Sequence, residues 1–350
     1  MPTRLTLLTA GLMLLGSFGP ALAQGALSVI DKKPAAGILC LADHDMDGSG
    51  ERRSPFDNAT ADGVIFRTGW MLTEPRANAY EWGQIDRHMQ AAKRSGKIFG
   101  LAIGAGRGTP RWFLQSSPTT LTITQHRKGF GQRQVTMPVP WDRAFQDRWG
   151  EFLQAVAARY DGEPNLAYVV IAGVGISFEP VMARSPEDVR NFEAMGGLPR
   201  WIEGTKAVID LYARHFRKTP FLLSMHLPVR SAEAQRAIEA VVDYGLRTYP
   251  GRFGVQNHGL DAVASTSDFY HRTISEWSGR TTVGYQMVWS SVGVNAEWLR
   301  GSLGDVLRRG AAMKAHFVEV YAVDCDDPKY ADVLRQASSA LRANATAFRR

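Results

Sequence analysis

Eight short apolar runs, each followed by a longer amphipathic stretch, constrain this chain more than any other feature. The runs are Gly37–Ala42, Val64–Thr68, Ile98–Ile103, Ala167–Ile171, Phe221–Met225, Phe253–Gln256, Thr282–Met287 and Phe317–Ala322. They are too short for buried helices and rich in β-branched and aromatic residues, so they read as buried strands. Most are separated by stretches with apolar residues near a 3.6-residue period. Tyr80–Ser95 places Ile85, Met89 and Ala92 on one face, and Trp141–Tyr160 does the same with Phe145, Trp149, Phe152, Leu153 and Val156. Leu198–Phe216, Ala232–Tyr249, Ser267–Trp277, Asn295–Arg309 and Lys329–Phe348 are the other expected helices. Eight strands with interposed helices predict an α/β fold closed as a (β/α)8 barrel. An open doubly wound sheet is the competing architecture, but the first strand lacks the G-x-G-x-x-G turn of a dinucleotide fold.

The first 23 residues stand apart from this pattern. Arg4 supplies a positive start, Leu5–Phe18 a short apolar run, and Ala21-Leu22-Ala23 a small-x-small cleavage site before Gln24. That is the form of a secretory signal peptide. A membrane anchor is the alternative, and the apolar run is short for one. The expectation is an exported protein, periplasmic or secreted, with residues 24–350 as a single barrel domain and no membrane insertion. The net charge of +7 is spread along the chain, with no basic run interleaved with aromatics, so nucleic acid is not an expected partner. No cofactor motif is present. Export also makes a disulfide possible between Cys40 and Cys325. They lie on the first strand and just past the eighth, which are neighbours only if the sheet closes; two buried free thiols are the other reading.

Barrels of this kind carry function on the loops that follow their strands. The strand ends here offer Arg67 and Trp70 (second), Trp112 (third), Glu179 (fourth), His226 (fifth), Asn257 and His258 (sixth), Gln286 and Trp289 (seventh), and Glu319 and Tyr321 (eighth). Carboxylates with Trp, His and amide side chains suit a carbohydrate substrate. Indole faces stack on pyranose rings, amides and imidazoles bond hydroxyls, and paired carboxylates perform acid and nucleophile steps. A Trp at a strand end can equally cap the core.

The stretch GVIFRTGWMLTEPRANAYEWGQIDRHMQAAKRSGK resembles the second strand and helix of clan A glycoside hydrolases, the β-galactosidase and endoglycanase barrels. Gly63, Arg67, Trp70, Glu74, Pro75, Tyr80, Trp82, Asp86, Ala92 and Gly96 carry the pattern. Thr109–Phe113 (TPRWF) is similar to their third-strand segment, and PVPWDRAFQDRWGEFLQAVAARYDGEPNLAYVVI to the stretch leading into their fourth strand. The resemblance runs from about Gly63 to Pro180. It implies a retaining mechanism, with an acid/base after the fourth strand, a nucleophile after the seventh, and Arg67 steadying a carboxylate.

The chain departs from that pattern twice. The fourth strand lacks the expected Asn-Glu, and Glu179 comes about five residues late, after Phe178. The seventh-strand position is held by Gln286, whose amide cannot act as a carboxylate nucleophile. Three readings follow. Glu179 and Glu319 form the catalytic pair; or one carboxylate acts with a water or substrate group that Gln286 orients; or the barrel has lost catalysis and binds glycans. For each glutamate a structural role is also open: Glu179 as a loop residue before Pro180, Glu319 as an interior carboxylate paired with Arg67.

Asp43, Asp45 and Asp47 before Gly48 match the start of a calcium loop, but Ser54 replaces the twelfth-position Glu and the loop follows a strand. A substrate-facing acidic loop and a solvated turn are the alternatives, and no metal is assigned. A Ser/His/Asp hydrolase is disfavoured because no G-x-S-x-G occurs.

Overall fold

A computed structural model describes residues 32–43, 55–127 and 131–348. The signal peptide expected over residues 1–23, and Asp45 and Asp47 of the acidic loop, lie outside the described residues. So does the side chain of Asp43.

Eight parallel strands close into a barrel: β1 (Gly37–Asp43), β2 (Gly63–Gly69), β3 (Ile98–Gly104), β6 (Leu166–Val170), β7 (Phe221–Ser224), β8 (Phe253–Leu260), β9 (Val283–Met287) and β10 (Phe317–Tyr321). Two further strands, β4 (Thr120–Arg127) and β5 (Gly131–Pro138), form an antiparallel hairpin between β3 and β6. The order around the barrel is β1-β10-β9-β8-β7-β6-β3-β2, so the fourth to eighth expected strands are β6 to β10. All eight apolar runs became barrel strands. Parallel strands covered on both faces need continuous apolar sequence, and β3, β6, β7 and β9 are buried along their whole length.

Helices wrap the barrel on their apolar faces. In Arg143–Tyr160, Asp142 caps the start by accepting a bond from the Phe145 amide at 2.7 Å, and Phe145, Trp149, Phe152, Leu153, Val156 and Tyr160 face inward. The expected helix over Asn295–Arg309 is broken. Ala296–Leu299 is a single tight turn, Arg300 takes a left-handed φ of 53°, and a new helix begins at Leu303 behind the Ser302–Asp305 capping box.

Closure depends on β1, which pairs with β10 from Gly37↔Phe317 to Leu41↔Tyr321 and with β2 from Leu39↔Gly63 to Asp43↔Arg67. The Cys40–Cys325 disulfide spans that seam, with Cα atoms 6.2 Å apart and 285 residues between them in sequence. Asp62, just before β2, accepts from the Ile38 amide at 2.8 Å and from Ser338 Oγ at 2.6 Å, tying the last helix to the same seam.

Reduction of the disulfide, or its replacement by two serines, is expected to lower the unfolding free energy by about 2–5 kcal/mol, because the bond closes a very long loop. Denaturant midpoints with and without reductant measure this. A second expectation concerns acid. His316 is buried, donates to the Ser278 carbonyl at 2.8 Å and stacks on Phe348, and burial pushes its imidazole down to about 4. The unfolded chain therefore binds a proton near pH 6.5 that the native state refuses until about pH 4. Stability falls as pH drops through that window, by on the order of 3 kcal/mol from this group. His316→Asn should flatten the slope by about one proton in pH-dependent urea titrations.

Candidate functional site

The segment after β6 turns back on itself to present Glu179. The Ile176 amide donates to the Val181 carbonyl at 2.9 Å, and the Arg107 amide donates to the Ile176 carbonyl at 2.8 Å. The loop after β3 thus lies directly against this turn. Gly106 has φ +62°, and a Cβ there would sit 2.4 Å from the Gly175 carbonyl oxygen, so no larger residue fits. On the other side, the Met182 and Ala183 amides both donate to the Pro228 carbonyl after β7. The turn is fixed between its two neighbours.

Three residues from three consecutive barrel strands meet there. Glu179 Oε1 lies 3.0 Å from His258 Nδ1, which donates to it, and Ser177 Oγ donates to Glu179 Oε2. His258 sits on β8, with Nε2 2.7 Å from the Gln256 side-chain amide. His226, just past β7, packs edge-on against His258 at 5.7 Å between ring centroids. Its Nε2 is buried and has no hydrogen-bond partner among the described residues. Burial pushes the Glu179 carboxyl up, but the His258 hydrogen bond, the charges of His258 and His226 and the Ser177 hydroxyl together hold it well below the usual carboxylate range. Burial drives His226 down to about 4 despite the pull of Glu179. Glu179 is therefore ionised and His226 neutral near pH 7.

A second polar cluster crosses the barrel interior. Tyr168 on β6 donates to Glu319 Oε1 on β10 at 2.7 Å, and Arg67 Nη1 on β2 donates to Gln286 Oε1 on β9 at 2.8 Å. Gln286 and Glu319 are register partners on adjacent strands. Tyr168 is accommodated because β3 has Gly100 opposite it, where a Cβ would come 2.6 Å from the ring. Burial, and next the charge of Glu319, push the Tyr168 phenol well above its usual value, with the Arg67 charge opposing, so it stays a donor. Glu319 and Gln286 are both buried.

The structure thus gathers Glu179, His226 and His258 at one position, and Glu319, Gln286 and Arg67 at another. Other expected site residues lie elsewhere. Trp70 is fully buried among Trp112, Phe113, Phe145, Trp149 and Phe152, and donates Nε1 to Glu74 at 2.7 Å, so it shows no face to a sugar. Trp112 donates to the Glu74 carbonyl, and the Arg148 guanidinium lies over its ring. Asn257 is buried and bonds the Met225 carbonyl and the Gly259 amide, shaping the strand end. Trp289 and Tyr321 do form an aromatic corner, joined by Trp298 at 5.6 Å from Trp289, with Trp298 42% exposed.

Sequence reasoning missed Trp298, Tyr168 and Ser177. A lone Tyr in an otherwise aliphatic strand was the available signal for Tyr168. Trp298 sat in a stretch expected to be helical.

Residues 63–173 match the sequence profile of a glycoside hydrolase family described as β-galactosidase. The match runs from β2 to just beyond β6 and stops short of Glu179. By shape, the catalytic domain of β-amylase from Paenibacillus polymyxa superposes with a TM-score of 0.59 at 9% identity, covering 88% of this chain and 100% of that one. Xylanase 10B from Thermotoga petrophila RKU-1, solved with xylobiose, gives 0.51 at 10% identity, with 82% of each chain covered. The chain is a glycoside hydrolase-like (β/α)8 barrel. No curated protein matches it by sequence.

Within this glycoside hydrolase-like barrel, the matched Trp-Glu-Pro motif is structural. Glu74 is buried and accepts from Trp70 Nε1, the Asn78 amide and Arg148, whose side chain is 12% exposed. Removing one partner of a buried ion pair strands the other charge. Glu74→Ala is expected to cost about 3–5 kcal/mol in thermal or urea unfolding.

Proposed function

We propose that this chain is an exported glycoside hydrolase acting on an oligo- or polysaccharide, with Glu179 and Glu319 as its catalytic carboxylates. The observation that carries this is that each glutamate is held by its own polar partners: Glu179, in the turn after β6, by His258 and Ser177, and Glu319, within β10, by Tyr168. Glycoside hydrolysis needs one carboxyl to protonate the leaving oxygen and one carboxylate to act as nucleophile or base. A Glu179 held ionised by His258 suits the second role. Proton delivery then falls to Glu319, which has to take up a proton before it can act, the reverse of the roles implied by the family resemblance. The aromatic corner of Trp289, Trp298 and Tyr321 offers a stacking face for a sugar ring.

A non-catalytic glycan-binding barrel is the second reading. It is favoured by the Arg67–Gln286 hydrogen bond, which occupies the seventh-strand position with a neutral amide.

Activity on aryl glycosides and natural oligosaccharides decides between them. Glu179→Gln is expected to lower kcat by about 10²–10⁴-fold on every substrate, with unfolding midpoints near wild type. Glu319→Gln should lose activity on oligosaccharides while keeping more of it on glycosides with acidic phenol leaving groups, which need no proton. A wild-type protein that binds oligosaccharide and never hydrolyses it, with both variants binding equally well, means a binder.

A further inference from the structure

We propose that Glu179, His226 and His258 form a three-ligand site for a divalent transition metal of the zinc class. One donor atom from each residue, a carboxylate oxygen and two imidazole nitrogens, lies within 4.8 Å of the others. Two histidines and one carboxylate, with an open fourth position, are a common zinc donor set. Bond lengths of about 2.0–2.2 Å imply neighbouring ligands about 3.3 Å apart in a tetrahedral site. The Glu179–His258 pair, at 3.0 Å, is already within a few tenths of that separation. His226 has to move inward from a separation of up to 4.8 Å.

Two unsatisfied atoms at the cluster point to the same ligand. His226 Nε2 is buried without a partner, and so is Gln256 Oε1. Gln256 presents its NH2 to His258 Nε2 at 2.7 Å, and the two ends of a carboxamide have the same shape. Turning the amide over puts Oε1 on His258 Nε2, which then donates to it. Nδ1 then faces the Glu179 carboxylate across 3.0 Å, a gap bridged either by a proton on Nδ1 or, once that proton is released, by a metal ion. A single metal ion satisfies Nδ1, the carboxylate and the stranded His226 nitrogen. Gln256 becomes the outer partner that orients a ligating histidine. The donors come from loops and strands fixed by backbone bonds on both sides, so the cluster is assembled before any ion arrives.

This goes beyond the hydrolase reading and does not need it. A metal-bound Glu179 cannot also serve as nucleophile, so zinc should inhibit hydrolysis, and a chelator should relieve the inhibition.

The test uses the full mature chain stripped with chelator and titrated with Co²⁺, followed by its visible d–d absorption, and with Zn²⁺ by calorimetry. One ion per chain is expected, with the intense bands of low-coordinate cobalt. His226→Gln and His258→Gln should each abolish those bands, and Gln256→Ala should weaken binding about 10–100-fold. Unfolding midpoints of the stripped variants show whether each is folded, and Gln256→Ala keeps the test informative if a histidine variant is not. Absence of one-to-one binding overturns the proposal, as does cobalt absorption that survives His226→Gln. Hydrolysis without metal binding overturns this inference alone, and metal binding with no hydrolysis even by the chelator-stripped chain overturns the proposed function alone.

Discussion

Everything at the mouth of this molecule depends on β1 pairing with both β2 and β10. A parallel sheet left open at that point would expose two edges, and the strands carrying Arg67 and Glu319 would lie at opposite margins. Closure brings them onto one interior surface. The seam is held by backbone ladders on both sides, by Asp62 reaching Ile38 and Ser338, and by a covalent bond from β1 to the short helix after β10. Three kinds of interaction converge on one join, which fits its role as the place where the first and last barrel strands meet.

Much of this architecture was legible in the sequence because parallel barrel strands are covered on both faces and must be apolar throughout. Gly37–Ala42 or Phe317–Ala322 could be read without knowing their partners. The β4–β5 hairpin was passed over, although Leu121, Ile123, Val135 and Met137 alternate inward with the period of two that marks a half-covered strand. The break at Arg300 was not legible, since a left-handed arginine leaves no mark in apolar periodicity.

The site was legible as a set of residues and not as an arrangement. Glu179, His226 and His258 could each be placed at a strand end, but their convergence depends on the turn at 175–181 and on its bonds to both neighbouring loops. Trp70 shows the opposite case. An indole near a strand end looks the same in sequence whether it faces a sugar or, as here, fills the space between barrel and helices. Glu74, which shares its motif, is likewise explained by what it anchors, namely Trp70, Asn78 and Arg148.

The bond from Tyr168 to Glu319 joins the fourth barrel strand to the eighth. If the chain were divided after its fourth strand, one fragment would keep the Tyr168 phenol without this acceptor and the other the Glu319 carboxylate without this donor. Each half-barrel would carry a polar defect that only the other half can repair. The two fragments would therefore discriminate in favour of each other and against a second copy of themselves, a selectivity written into the interior and not the outer helices.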